Sequence, residues 1–243
     1  MSEPTRDRYE QWQVEAVLQR YAGLRIVPAR ADELRFAGAL AFHVTGPDGE
    51  TIEDQYDVDV RVSPRFPTAV PMVLETGGRI DDEYHKLEGG ALCLGSPTAL
   101  RMMLKESPTL LTFVERILIP YLYGYSYFVR HGTMPYGQLD HRTGIRDFIA
   151  ETFGACGGAN PEEFLRLAGL QRHRANKHFC PCGSGLRLGR CHNRSVNNFR
   201  KRLGRLWCRD EYVRVAGVFQ PRSLVSGLFL ERNRMVQIVK RSA

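Results

Sequence analysis

The amino-acid sequence predicts an α+β protein. Apolar and polar residues alternate through stretches near residues 34–44 and 56–62, as in half-buried antiparallel strands. Apolar residues recur at helical spacing on both sides of these stretches, near residues 7–22 and 108–125. Helices that flank a run of consecutive strands are typical of the α+β class.

Three strands are predicted from this alternation and from the turns that bound them. They are Leu34–Val44, Tyr56–Val62 and Met72–Thr76. The turn-forming sequence Gly46–Gly49 separates the first two, and three prolines between residues 64 and 71 interrupt the ladder, because proline cannot donate to a sheet. Consecutive strands joined in this way form an antiparallel meander.

Helices are predicted before and after the meander. The first runs from about Asp7 to Ala22 and is followed by a glycine stop. An irregular loop spans residues 77–95. Ser107 and Pro108 then supply an N-cap and a first-turn proline for a long helix, which we expect Pro120 to kink.

Charge is distributed unevenly along the chain. The net charge is +7 overall, −5 over residues 1–150 and +12 over residues 151–243. The basic half could attract nucleic acid, an acidic protein face or an anionic surface, or could be a solvated tail. No apolar run has the roughly 18 residues of a membrane span, and the first ten residues are polar, so we expect a cytoplasmic protein without membrane association.

The glycine-rich stretch near residue 154 is the strongest predicted boundary. We expect a main domain over 1–153, a hinge and linker helix over 154–176, a zinc knuckle over 177–194 and a basic C-terminal segment over 195–243. Without a secretory signal, the six cysteines are expected to be thiols or metal ligands rather than disulfides.

Three cysteines and a histidine lie within thirteen positions of one another. They are Cys180, Cys182, Cys191 and His192. Three thiolates and an imidazole make a complete tetrahedral donor set for zinc, and Gly183 and Gly185 permit the tight turn that brings the sulfurs together. Four protein ligands leave no open coordination position for water or substrate, so the predicted zinc is structural rather than catalytic.

This stretch resembles the SEC-C motif, a zinc-binding tail first recognised in the SecA translocation ATPase. The resemblance covers residues 180–185 and 191–192 and implies that the same four residues bind the zinc. It also implies that the knuckle docks a partner protein.

A second resemblance covers residues 8–130. The alternating strand, the proline-rich turn at 63–71 and the sequence Gly90-Ala91-Leu92-Cys93-Leu94, taken in this order, resemble the ubiquitin-conjugating enzyme (UBC-like) fold. The resemblance implies that Cys93 accepts a ubiquitin-like modifier as a thioester from an activating enzyme and passes it to an amine. A thiolate suits this role because it is both a strong nucleophile and a good leaving group.

The chain departs from the eukaryotic pattern at one position. Eukaryotic members carry an Asn eight residues before the cysteine, and His85 stands there in this sequence, as in bacterial relatives. His85 would assist the thiol or orient the loop, and a purely structural role for it stays open. Cys93 could likewise be a small buried hydrophobe, which would make the protein a non-catalytic adaptor.

Two further segments remain open. Asp140 and His141, in a turn-rich stretch after the long helix, could orient an acceptor or form a connector. Residues 198–207 interleave cations with aromatic residues, which suits either nucleic-acid binding or packing of Phe199, Leu203 and Leu206 on the domain. Bacterial proteins of the resembled class often act in conjugation systems linked to phage defence, and the resemblance implies such a role.

Overall fold

The computed structural model describes residues 3–29, 33–47, 49–82, 84–135, 149–150, 152–153 and 160–216. The chain divides into two compact units, Met1–His141 and Arg142–Ala243. Among the described helices, none combines the length and apolar character that a membrane crossing needs.

The first unit is a mixed α and β structure. Its elements are α1 Glu3–Gln11, α2 Val14–Arg20, β1 Leu24–Ile26, β2 Leu34–Thr45, β3 Thr51–Val62, β4 Met72–Glu75, α3 Pro97–Glu106, α4 Leu110–Phe113, a π-helical segment Val114–Leu118 and α5 Ile119–His131. The four strands form one antiparallel sheet in the order β1-β2-β3-β4. The predicted α+β class and meander are therefore confirmed, with β1 and α3 as additions.

Period-two alternation buries one face of β3, as predicted. The side chains of Tyr56, Val58, Val60 and Val62 are at most 1% exposed. They belong to the same apolar cluster as Phe113, Leu118 and Leu122 from the long helical stretch. Burying a side chain of this size stabilises the fold by about 1.5–3 kcal/mol, so this layer holds the sheet against the long helical stretch.

The opposite face of β3 differs from the expectation at Asp59. The alternation predicts a solvated carboxylate, but Asp59 is only 3% exposed. The guanidinium of Arg35 contacts one of its oxygens at 2.7 Å and that of Arg61 contacts the other at 2.9 Å. Two cations on the sheet surface thus compensate a buried charge, which a single-strand pattern cannot reveal.

The N-terminal helix is interrupted where a continuous one was predicted. Gln13 has left-handed backbone angles, φ 55° and ψ 44°, and separates α1 from α2. The carbonyl of the neighbouring Trp12 accepts a hydrogen bond from the amide of Leu110 at 2.9 Å. Trp12 itself is 4% exposed, so tertiary packing of this ring replaces the helical continuation.

The long helical stretch begins two residues later than predicted, and Pro120 does not end it. The N-cap is Thr109, whose hydroxyl accepts a hydrogen bond from the amide of Thr112 at 3.1 Å. A π-helical segment precedes the proline, and the amide of Ile119 donates to the carbonyl of Val114, five residues back. The wider π-helical turn changes the hydrogen-bond register just before Pro120, which has no amide hydrogen to donate.

A polar cluster joins β3 to α5 beside the sheet. Arg79 pairs with Asp54 at 2.7 Å and its guanidinium lies 4.2 Å from the centre of the Tyr56 ring. The hydroxyl of Ser126 donates to Asp54 at 2.7 Å. Burial by itself raises the pKa of Asp54, but the hydrogen bonds from Arg79 and Ser126 outweigh it and lower that pKa to about 2.

The second unit is helical around a metal-ligand cluster. Its elements are α6 Pro161–Gly169, α7 Arg172–Ala175, a 3-10 turn Leu188–Arg190, α8 Asn193–Leu203 and α9 Arg205–Ala216. Its core is aromatic, with the rings of Phe153 and Phe164 stacked at 4.4 Å and Phe199 tilted 5.0 Å from Phe153. The predicted hinge at 154–159 lies outside the described residues, and the predicted division into four segments stays a prediction.

Candidate functional site

Cys93 lies at the end of a small hairpin rather than in an irregular loop. The amide of Leu87 donates to the carbonyl of Ala91 at 2.7 Å, and the amide of Gly90 donates to the carbonyl of Leu87 at 3.0 Å. Gly89 and Gly90 have φ of 88° and 79°, which residues with a side chain rarely adopt. The two glycines before the cysteine therefore build the turn that returns the chain toward His85.

The hairpin is attached to the edge strand β4. The amide of Leu92 donates to the carbonyl of Val73 at 2.8 Å, and Ala91 forms a bridge with Leu74. Leu92 is 4% exposed and belongs to the core of the first unit, whereas Cys93 is half-buried. The buried leucine thus holds the neighbouring thiol at the margin of the core rather than inside it.

His85 lies directly opposite Cys93 in this hairpin. The bridge between Lys86 and Leu92 sets the register, and the amide of Cys93 donates to the carbonyl of His85 at 2.7 Å. His85 has a φ of 33°, one of two positive values among the described non-glycine residues. Such a conformation costs about 1–3 kcal/mol, so the hydrogen bonds of the hairpin must hold His85 in place.

Tyr121 from α5 supports the same carbonyl. Its hydroxyl lies 3.2 Å from the carbonyl oxygen of His85 and 3.4 Å from that of Tyr84. Burial, with smaller effects from Tyr84 and Cys93 nearby, raises the pKa of Tyr121 far above its usual range. The phenol therefore remains a hydrogen-bond donor. The helical stripe of the sequence contains Tyr121, but nothing in that stripe signals contact with the Cys93 hairpin.

Lys86 fixes the other side of the hairpin. Its ammonium donates to the carbonyl of Ile80 at 2.5 Å and to the carboxylate of Asp82 at 2.9 Å. The side chain is 11% exposed, so its charge is compensated largely within the segment 80–86. Lys86 is therefore occupied in holding the hairpin in place.

The second unit brings the four predicted metal ligands together. The ligand atoms of Cys180, Cys182, Cys191 and His192 all lie within 4.8 Å of one another. Nδ1 of His192 is 3.2 Å from the sulfur of Cys180 and 3.1 Å from that of Cys191, and the sulfurs of Cys182 and Cys191 are 3.5 Å apart. A tetrahedral zinc site with bonds of about 2.0–2.3 Å separates its donors by about 3.5–3.8 Å, so a small adjustment fits the metal.

The chain around the cluster folds as the glycines predict. Gly183 and Gly185 have φ of 80° and 71°. The amide of Gly183 donates to the carbonyl of Cys180 at 3.4 Å, which closes the tight turn between Cys180 and Cys182. Ser184, between the two glycines, places its hydroxyl 3.4 Å from the sulfur of Cys191. This contact was missed, although a hydroxyl at the tip of such a turn is a recognisable signal.

The protonation of the thiols fits a cation site. Burial raises the pKa of Cys180, and hydrogen bonding with Ser184 lowers the pKa of Cys182. When one of these thiols is ionised, ionisation of its neighbour is disfavoured, because two neighbouring thiolates repel each other. A divalent cation removes the conflict by replacing the protons, since a coordinating thiol is deprotonated outright.

The basic segment packs in part as predicted. Phe199 and Leu203 are 2% and 1% exposed, whereas Leu206 is 59% exposed, so the prediction that Leu206 packs with them is wrong. The guanidinium of Arg200 donates to the carbonyls of Ala168 and Leu167 at 2.8 and 2.9 Å and caps the end of α6. Asp140 and His141 lie outside the described residues.

Comparisons were made with protein-family models, with curated proteins and with solved structures, and no match to this chain was found in any of the three.

Proposed function

We propose that the first unit is a ubiquitin-conjugating-enzyme-like carrier that holds a ubiquitin-like modifier as a thioester on Cys93. The observation that carries the proposal is the hairpin that presents a half-buried Cys93 directly opposite His85, at the edge of an antiparallel meander. The order of helix, meander, cysteine hairpin and long helix also agrees with the resemblance found in the sequence.

The proposed reaction has two steps. The Cys93 thiolate attacks the carbonyl carbon of a thioester carried by an activating enzyme, the new carbon–sulfur bond forms, and the activating enzyme's sulfur leaves as a thiolate. An acceptor amine then attacks the same carbon, a carbon–nitrogen bond forms, and Cys93 leaves as a thiolate while the amine proton passes to solvent. Sulfur serves both steps because it is a good nucleophile and a good leaving group.

His85 has a supporting role in this proposal. Its backbone carbonyl fixes the amide of Cys93, and its imidazole is half-buried with its ring 5.1 Å from that of Tyr84. An imidazole on this hairpin can donate a hydrogen bond to the oxyanion that develops during attack. We also propose that the knuckle binds one structural zinc through Cys180, Cys182, Cys191 and His192 and that it recruits a partner protein.

The test is formation of a thioester with a cognate activating enzyme, modifier and ATP. A modifier adduct that disappears on reduction is expected with the native chain and not with Cys93→Ala. The matched variant Cys93→Ser should give an adduct that resists reduction, because it would be an oxygen ester. If a verified cognate pair leaves this chain unmodified, the adaptor function is favoured instead.

A further inference from the structure

The metal-ligand cluster lies beneath a short ribbon that presents an aromatic ring to solvent. The amide of Cys180 donates to the carbonyl of Leu186 at 2.8 Å, and Phe179 is bridged to Arg187. Cys180 is 5% exposed, whereas its neighbour Phe179 is 69% exposed. The alternation of the ribbon thus directs the thiol toward the cluster and the ring outward.

A cation accompanies the ring. The guanidinium of Arg187 lies 5.7 Å from the centre of the Phe179 ring and donates to the carbonyl of Lys177. The side chains of Lys177 and Arg190, which are close in sequence to the ribbon, are exposed. A large apolar ring that is mostly exposed beside a guanidinium contributes little to the core of the second unit.

The surrounding sequence is strongly cationic. From Phe164 to Arg209 the chain contains twelve Lys or Arg residues and no Asp or Glu. Ten of these twelve cations are exposed. Two of the twelve are paired with acidic residues that border the segment, Arg166 with Glu163 and Arg209 with Asp210. The remaining excess of positive charge attracts a polyanion.

We infer that the exposed pair formed by Phe179 and Arg187 on this ribbon binds single-stranded nucleic acid, and that exposed cations elsewhere in the segment add to the attraction. The phosphates contact the cations, and an unpaired base stacks on the exposed ring of Phe179. Charge alone would suit an acidic peptide equally, but an exposed aromatic ring beside a guanidinium is the arrangement that stacks bases in single-strand binders. Duplexes offer no unstacked base, so they should bind more weakly.

The experiment titrates the full-length, zinc-loaded chain into a fluorescent twelve-nucleotide single strand of RNA or DNA and follows its anisotropy. Replacing Phe179 by Ala should weaken binding by about tenfold, and Phe179→Trp should restore it, because stacking needs a ring rather than that particular residue. Replacing Arg187 by Ala should reduce the salt dependence of log Kd by about 0.7, the contribution of one phosphate contact to a single strand.

Leu186→Ala is the matched control, because Leu186 is an exposed apolar residue of the same ribbon, 50% exposed, that cannot stack. It should leave binding to the single strand unchanged. The inference is overturned if Phe179→Ala binds as tightly as the native chain, or if no single strand binds at about 0.1 M salt. It is also overturned if a polyglutamate peptide binds more tightly than the oligonucleotide. Each outcome is independent of whether Cys93 carries a modifier.

Discussion

The carbonyl of His85 accepts a hydrogen bond from the backbone amide of Cys93 at 2.7 Å, in a hairpin where the two residues lie directly opposite each other. The hydroxyl of Tyr121 reaches the same carbonyl at 3.2 Å. One acceptor therefore connects the proposed nucleophile with the long helix. Any change that displaces the backbone of His85 should also displace Cys93.

Substitutions at His85 should separate its backbone role from its imidazole. Its φ of 33° is tolerated by Asn much better than by Val, whose branched side chain resists the left-handed region. We expect His85→Asn to retain stability and His85→Val to lose about 1–2 kcal/mol of the free energy of unfolding. Urea denaturation of the two variants measures this, and equal losses would contradict it.

Tyr121→Phe should loosen the hairpin without altering the core. Removing one hydrogen bond costs about 0.5–1.5 kcal/mol, and Tyr125→Phe removes a similar bond, from its hydroxyl to the carbonyl of Arg79 at 2.6 Å. Stability should therefore fall alike in both variants. The rate at which iodoacetamide alkylates Cys93 should change only in Tyr121→Phe. A similar change in Tyr125→Phe would show that the effect is general loosening.

The Asp54 cluster should make stability depend on pH in the acid range. The pKa of Asp54 is about 2 in the folded chain and about 4 when unfolded, so its contribution is present above pH 4 and is lost as the pH falls toward 2. With solvent screening, the loss is about 1–2 kcal/mol. Asp54→Asn should make the fall in stability between pH 4 and 2 shallower. Asp59, whose pKa is raised by burial but lowered overall by its hydrogen bonds with Arg35 and Arg61, keeps part of that fall. A fall as steep as that of the native chain would contradict the argument.

Metal binding should depend on the backbone of Gly183 as well as on the thiols. About one zinc per chain is expected by elemental analysis and should be lost in Cys182→Ser, because four donors are needed to close the site. With a φ of 80° and open space around it, Gly183 should tolerate Asn better than Ala. A zinc competition assay should therefore rank affinity as native, then Gly183→Asn, then Gly183→Ala. Equal affinities would contradict the strain argument.

The sheet could be predicted because one-strand periodicity determines which residues face the core. Periodicity within one strand or helix does not predict features that depend on contact with a second element. The burial of Asp59 depends on Arg35 and Arg61, and the break at Gln13 depends on the packing of Trp12. By contrast, α3 had a readable signal, since Ser96 and Pro97 stand at its N-terminus as N-cap and first-turn proline.

The metal-ligand cluster was predictable for a different reason. Its four donors lie within thirteen residues, so the short chain between them allows few arrangements of the donor atoms. Gly183 and Gly185 adopt the positive φ expected of them. The Cys93 site instead depends on contacts across long sequence distances. Tyr121 lies 36 residues from His85, and no local pattern could join them.

The opposite orientations of Cys180 and Phe179 limit which insertions and deletions the turn at residues 181–185 can accept. Because neighbouring residues of an extended ribbon point to opposite sides, deleting one residue between positions 181 and 185 would turn the ring toward the thiols and a thiol toward water. Length in this turn is therefore constrained together with the identity of Cys182, Gly183 and Gly185. Homologous chains should exchange the side chains at positions 181 and 184 far more often than they gain or lose a residue in the turn.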